Sequence, residues 1–168
     1  MTDKEYCFTF DSNKCVLCYA CETACKVHNG VETGCTWRQV KALWDGVYPE
    51  VNSINISISC MHCVDPECIK ICPEEAILKD SDGIVSVDLD LCSGCRLCFD
   101  VCPVKAPQYG KDGKMQKCNF CPSELEKGEE PVCLTTCPGG AIGLKVVDKS
   151  EKIKIEKVMS EYYISKNV

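Results

Sequence analysis

Sixteen cysteines fall into four groups of four with repeating spacings. Cys15, Cys18, Cys21 and Cys25 read C-x2-C-x2-C-x3-C, and Cys92, Cys95, Cys98 and Cys102 repeat that spacing. Cys60, Cys63, Cys68 and Cys72 read C-x2-C-x4-C-x3-C, and Cys118, Cys121, Cys133 and Cys137 read C-x2-C-x11-C-x3-C. Every group opens with C-x2-C and closes with C-x3-C. Repetition of this kind marks duplicated structural units. Pro73, Pro103 and Pro138 follow the last cysteine of three groups, and Lys26 takes that place in the first. With 18 cysteines in 168 residues, what the thiols bind or bridge decides the fold.

Disulfides suit an extracellular chain. The N-terminus MTDKEYCFTFDSNKC has no apolar h-region and no twin arginine, and C-x2-C-x2-C crowds too many thiols to pair locally in good geometry. Zinc sites use two C-x2-C pairs or add histidine, whereas only His28 and His62 are present. The run C-x2-C-x2-C-x3-C-P is instead the bacterial ferredoxin signature, in which the fourth cysteine ligates the other cluster of a pair. Four such groups predict four 4Fe–4S clusters. Three close cysteines wrap one cube in a tight loop. The fourth is expected at or near a helix start, where the following proline is tolerated, pointing the other way.

The second and third groups form the clearest pair. Between Cys72 and Cys92 the sequence predicts a helix start at Pro73-Glu74-Glu75-Ala76-Ile77, a turn at Asp82-Gly83 and a strand at Ile84-Val85-Ser86-Val87-Asp88. The first and fourth groups then make an outer pair, and CPGGAIGLK after Cys137 echoes CPEEAILK after Cys72. Nested pairing assigns Cys15, Cys18, Cys21 and Cys137 to cluster 1, and Cys25, Cys118, Cys121 and Cys133 to cluster 2. Cluster 3 takes Cys60, Cys63, Cys68 and Cys102, and cluster 4 takes Cys72, Cys92, Cys95 and Cys98. The alternative joins first to second and third to fourth. Against it stands the long interval from Cys25 to Cys60, which holds structure of its own in residues 37–44 and 51–59. The expected fold class is α+β: two ferredoxin-like two-cluster modules, residues 60–102 inside and residues 1–59 with 103–168 outside, built of short strands, short helices and long loops.

Composition supports a fold stapled by clusters. The apolar fraction of 45% counts the cysteines, and without them it is about a third, thin for a conventional core. The formal charge is −6, and sixteen thiolates with four 2+ cores take it to about −14. There is no basic stripe, so nucleic acid is not an expected partner. No apolar run is long enough to span a membrane. These features favour a cytoplasmic chain, although a folded redox subunit can travel on a partner's signal.

Outside the groups, Cys7 and Cys35 read as ordinary thiols. His28 and His62 read as surface or packing residues, with His62 placed to tune a neighbouring cluster. Trp37, Trp44 and Tyr109 are expected to shield apolar faces. Residues 30–48 read as a covering segment or strand pair, and residues 122–132 as a surface loop. Residues 145–168 read as a strand or strand pair, then a short helical or mobile tail. No Ser/His/Asp set, Rossmann fingerprint or phosphate loop points to catalysis by this chain.

The stretches CVLCYACETACKVHNG, TWRQV, SCMHCVDPECIKICPEEAI, CSGCRLCFDVCPVKAPQYG and KCNFCPSELEKGEEPVCLTTCPGGAI resemble the four-cluster ferredoxin subunits of the dimethyl sulfoxide reductase type. Similar polyferredoxins accompany tungsten aldehyde-oxidoreductase-type enzymes. The resemblance covers about residues 6–145 and includes the long insert in the fourth group. It implies nested ligation and a non-catalytic electron-transfer subunit. It also implies a catalytic partner with a molybdenum or tungsten bis-pterin centre, and a further electron-donating or electron-accepting protein. A free-standing polyferredoxin and a redox-sensing cluster protein are the competing functions.

Overall fold

The computed structural model describes residues 4–166, and its architecture is a small α+β arrangement of short elements. Among these residues, strands pair only two at a time. β1 (Lys4–Phe10) lies antiparallel to β8 (Ile142–Asp148), and β2 (Arg38–Val47) to β3 (Glu50–Ser59). β4 (Ile77–Lys79) pairs with β5 (Val85–Val87), and β6 (Gln108–Tyr109) with β7 (Met115–Gln116). The helices are α1 (Ala20–His28), α2 (Glu67–Lys70), α3 (Leu97–Val101), α4 (Pro122–Leu125), α5 (Val132–Thr135) and α6 (Lys149–Lys166). No helix among the described residues is long and apolar enough to cross a membrane.

An isolated two-stranded ladder is marginal in water, so each must lean on something else. Apolar packing is divided into three small clusters. One gathers Ile77, Val85, Cys98 and Met115, a second Cys21, Val40, Cys133, Leu134 and Ile142, and the third Leu43, Ile56, Ile58, Val104, Ala106 and Tyr163. Cysteine side chains belong to the first two, so the sites that hold the thiols are part of the core.

Several local expectations give way to the structure. Residues 73–76 form a turn leading into β4, which starts at Ile77, because Glu75 is left-handed (φ 50°) and stops any helix there. The closing cysteines do not begin helices. Cys72, Cys102 and Cys137 lie just after α2, α3 and α5, and Cys25 lies within α1. The C-x3-C interval is itself the helical stretch.

Residues 145–148 are the end of strand β8, and the segment after Asp148 is one long helix rather than a second strand or a short tail; residues 167 and 168 lie outside the described residues. Asp148 Oδ1 accepts the Glu151 N–H at 2.9 Å, the capping geometry that Asp-x-x-Glu provides. Alternating Ile153 and Ile155 suggest a strand, but the buried positions Lys152 and Tyr163 are far apart on a helix that touches the body along its length. Lys152 Nζ reaches Glu5 Oε2 at 2.9 Å, and Glu156 Oε1 accepts the Val64 N–H at 2.9 Å. In the insert of the fourth group, residues 122–125 are helical, residues 126–131 are turn and loop, and Val132 already opens α5. Trp44 shields nothing: it is 69% exposed near the end of the β2–β3 hairpin.

Candidate cluster-binding sites

All four C-x2-C loops share one backbone feature. The residue before the second cysteine is left-handed: Leu17 (φ 56°), His62 (51°), Gly94 (71°) and Phe120 (66°). Only one is glycine. Such strain persists where the surroundings demand it, commonly at binding sites, and αR–αL turns form N–H-lined nests that suit anions. A Cβ at Gly94 would run into the Gly113 carbonyl, which accounts for glycine in that loop.

A second shared feature follows the closing cysteines. Glu75, Lys105 and Gly140 are left-handed, and each precedes a buried alanine, Ala76, Ala106 and Ala141. The Ala106 N–H points at Cys102 Sγ (3.4 Å), and the Ala141 N–H at Cys137 Sγ (3.3 Å). Burial raises the Cys137 thiol, but backbone N–H groups from Gly139 to Ile142 outweigh it and hold the thiol below its usual value. The sequence carries the signal as Cys-Pro-x-x-Ala, in which the proline is the conspicuous half and the alanine the informative one. The first group departs from it. There Asn29, four residues after Cys25, extends its Nδ2 towards Cys25 Sγ (3.8 Å) and Cys121 Sγ (4.0 Å).

The structure distributes the sixteen cysteines as follows. One cavity is lined by Cys15, Cys18, Cys21 and Cys137. Another is lined by Cys72, Cys92, Cys95 and Cys98. A third, of about 330 Å³, is lined by Cys60, Cys63, Cys68 and Cys102 and closed on one side by α6. Burial, then the neighbouring Cys118, Cys133 and Cys121, push the Cys25 thiol up to about 12. Cys7 and Cys35 stand apart and are buried, with their thiols directed at the Phe8 and Tyr109 carbonyls. None of the eighteen cysteines is in a disulfide.

These surroundings fit iron–sulfur clusters. Among the described residues, no three His, Cys, Asp or Glu side chains close on a point that would hold a single ion; the sulfurs stand around volumes. Burial and crowding raise the thiols of Cys63 and Cys68, the latter to about 12, so charge must be supplied for thiolates to persist there. Donors already face the sulfurs. The Met115 N–H lies 3.4 Å from Cys92 Sγ, the Tyr109 hydroxyl 3.0 Å from Cys98 Sγ and the Ser57 hydroxyl 3.4 Å from Cys21 Sγ. Tyr109 therefore touches a cysteine of the group rather than serving only as a shield. Trp37 is tied by its Nε1–H to Gln116 Oε1 at 2.9 Å.

His62 is fully buried against Phe120, with ring centroids 4.4 Å apart. Its Nδ1 accepts the Val85 N–H at 2.9 Å, which leaves the proton on Nε2, and Nε2 has no partner among the described residues. A spare donor beside the Cys60–Cys63 loop matches the acceptor sulfides of a cluster. Burial keeps this ring neutral, and the nearby Lys117 and Lys152 charges add to the effect. His28 sits at the surface beside Ser123 and Glu124.

Charge on neighbouring sulfurs also acts between cysteine groups: Cys21 on Cys133, Cys60 on Cys118 and Cys98 on Cys68. Cys18 and Cys95 are the two exposed cysteines.

Comparison with known proteins agrees with this chemistry. The family model of the 4Fe-4S dicluster domain matches residues 51–147. The protein is 38% identical over 157 residues to the B subunit of anaerobic dimethyl sulfoxide reductase from Escherichia coli (strain K12), covering 88% of this sequence and 77% of that one. It is 39% identical over 166 residues to the B subunit of polysulfide reductase from Wolinella succinogenes, covering 94% and 84%. The hydrogenase-2 operon protein HybA of Escherichia coli O157:H7 is 35% identical over 161 residues, covering 79% and 49%.

Proposed function

Because the chain belongs to the 4Fe-4S dicluster family, with the B subunits of dimethyl sulfoxide reductase and polysulfide reductase among its relatives, we propose how its electron path is laid out and what it serves. The chain is a non-catalytic electron-transfer subunit that carries four 4Fe–4S clusters. The proposed ligand sets are Cys15, Cys18, Cys21 and Cys137; Cys25, Cys118, Cys121 and Cys133; Cys60, Cys63, Cys68 and Cys102; and Cys72, Cys92, Cys95 and Cys98. The observation that carries them is the lining of three cavities by one such quartet each. Residues 60–102 then form an inner two-cluster module, and residues 1–59 with 103–168 the outer one. The β1–β8 ladder, which joins residues 4–10 to 142–148, is what such nesting would require.

Each cluster, when bound, supplies a one-electron couple between 2+ and 1+ cores. The protein holds the sulfurs in a row, keeps water away and aims N–H and O–H donors at them, which tunes potential. The cross-set neighbours support the order cluster 1, 2, 3, 4, with exchange with other proteins at the two ends, beside Cys18 and Cys95. The partner at one end is a catalytic subunit with a molybdenum or tungsten bis-pterin centre, and the other end meets a second redox protein. The proposed location is the cytoplasm.

Single substitutions test the pairing. With nested ligation, Cys60→Ser and Cys102→Ser abolish or alter the same electron paramagnetic resonance signal, because both bind cluster 3. Sequential pairing would make Cys102→Ser match Cys118→Ser instead. Native anaerobic purification tests the partner: a stable companion bearing molybdenum or tungsten and a pterin is expected. A chain that purifies alone, yet passes electrons between separate enzymes, would establish a free polyferredoxin.

A further inference from the structure

Arg38 is an internal cation outside the four cysteine groups. It opens β2 and is 3% exposed. In the β2–β3 register it lies opposite Ser59, and alternation along β3 puts Ser57 and Ser59 on one face. Arg38 accordingly donates to both hydroxyls, from Nη1 to Ser57 Oγ at 3.2 Å and from Nη2 to Ser59 Oγ at 3.0 Å. Its guanidinium also lies over the Phe8 ring, 4.8 Å from the centroid. Burying a cation without an opposing charge is costly. The charged groups that act on Arg38 most strongly are cysteine sulfurs: Cys133, Cys118, Cys21 and Cys25.

Those four sulfurs divide between two ligand sets, Cys21 in the first and Cys25, Cys118 and Cys133 in the second. Ser57 links Arg38 to the first. Accepting from Arg38 leaves its own hydroxyl proton for Cys21 Sγ, 3.4 Å away. We propose that Arg38 is the shared counter-charge of clusters 1 and 2, acting on Cys21 through Ser57, and that it raises the reduction potentials of these two clusters above the values they would otherwise have. This rests on the ligand sets given above.

The physical basis is simple electrostatics. A 2+ core with four thiolates carries about −2, and about −3 once reduced. Reduction adds one electron and no proton, and arginine stays protonated throughout. A fixed positive charge therefore favours the reduced form, and burial preserves the effect from solvent screening. Arg38 is a positioning and tuning residue, since it acts through sulfur ligands.

The test is an anaerobic titration with dithionite, followed by electron paramagnetic resonance, on the complete cluster-loaded chain in its native complex. Arg38→Gln should disfavour reduction of two clusters at least about tenfold, equal to 59 mV for one electron, and shift the other two less. Arg38→Lys keeps the charge and should restore most of the loss. Ser57→Ala should lower one cluster alone. Unchanged potentials in fully loaded Arg38→Gln would overturn the proposal, as would an equal shift in all four clusters or no rescue by lysine. Should Arg38→Gln fail to load four clusters, Ser57→Ala decides: a single lowered potential supports the proposal, and none overturns it. Cysteine substitutions identify which signals belong to the Cys21 and Cys133 sets. If the affected signals lie elsewhere the role of Arg38 fails, whereas a mismatch between Cys60→Ser and Cys102→Ser signals would instead fail the ligand sets.

Discussion

Removing the iron, by an oxidant with a chelator under conditions that leave other proteins folded, should abolish most of the helical circular dichroism and expose the thiols to alkylation. The reason lies in how little else holds the chain together. Its ladders are two-stranded and its apolar packing is split into three small clusters, two of them built partly from cysteine. A domain of this size is stable by only about 5–15 kcal/mol, and free energy of cluster binding is folding free energy. Without clusters, burial and the neighbouring thiols oppose ionisation of Cys25 and Cys63, so the sulfurs are protonated and no cationic core draws them together. Retention of the native spectrum after complete iron loss would contradict this dependence.

Replacing Glu5 by Gln should be the most damaging substitution away from the cysteines. Glu5 is 4% exposed, and its carboxylate receives Lys79 at 2.8 Å and the fully buried Lys152 at 2.9 Å. Together they fasten α6 to β1 and to the β4–β5 hairpin. Removing one partner of a buried ion pair costs about 3–5 kcal/mol, largely because the other charge is stranded. The expected readouts are a lower urea midpoint for loss of the cluster absorbance and faster amide exchange in α6. Glu5→Leu with Lys152→Met should recover part of the loss, since apolar replacement of such a pair is often neutral or better. Burial raises the Glu5 carboxyl, but bonds and charges from Lys79 and Lys152 outweigh it and hold it below its usual range. Its contribution is therefore complete above the unfolded value of about 4.3. It is lost only as the pH falls below that value and through the lower folded one. From pH 7 to 5 Glu5 should add no slope to stability. A Glu5→Gln midpoint equal to the parent's would refute this view of α6.

The sequence is most informative where chemistry is written as local spacing. The C-x2-C openings, the C-x3-C closings and the Cys-Pro junctions are all short-range, and a metal-binding loop must place its ligands that way. The β2–β3 hairpin is legible only in part: residues 37–44 and 51–59 read as structure of their own, but the strand pair expected within residues 30–48 is instead β2 paired with residues 50–59 beyond it. Features set by long-range contact are not legible. Arg38 becomes meaningful only when strand register carries it to Ser57 and Ser59. Asn29 becomes meaningful only beside Cys121. Tyr109 reaches Cys98 because the chain turns back after α3.

Two expectations fail for local reasons instead. The alternating isoleucines after Asp148 suggest a strand, yet the Asp148–Glu151 capping pair starts α6 and the helix follows. At Pro73 the proline suggests a helix start, but the left-handed residue two positions later turns the chain into β4. The signal for that turn, an alanine four residues past the closing cysteine, appears at Ala76, Ala106 and Ala141 and is visible without coordinates.

The central claim is the number and kind of clusters, and anaerobic purification of the native protein with iron and acid-labile sulfide analysis tests it most directly. Four 4Fe–4S clusters predict about sixteen iron and sixteen sulfide per chain. A value near eight of each in intact, anaerobically handled protein would contradict the claim and leave half of the cysteine sets without the role given to them.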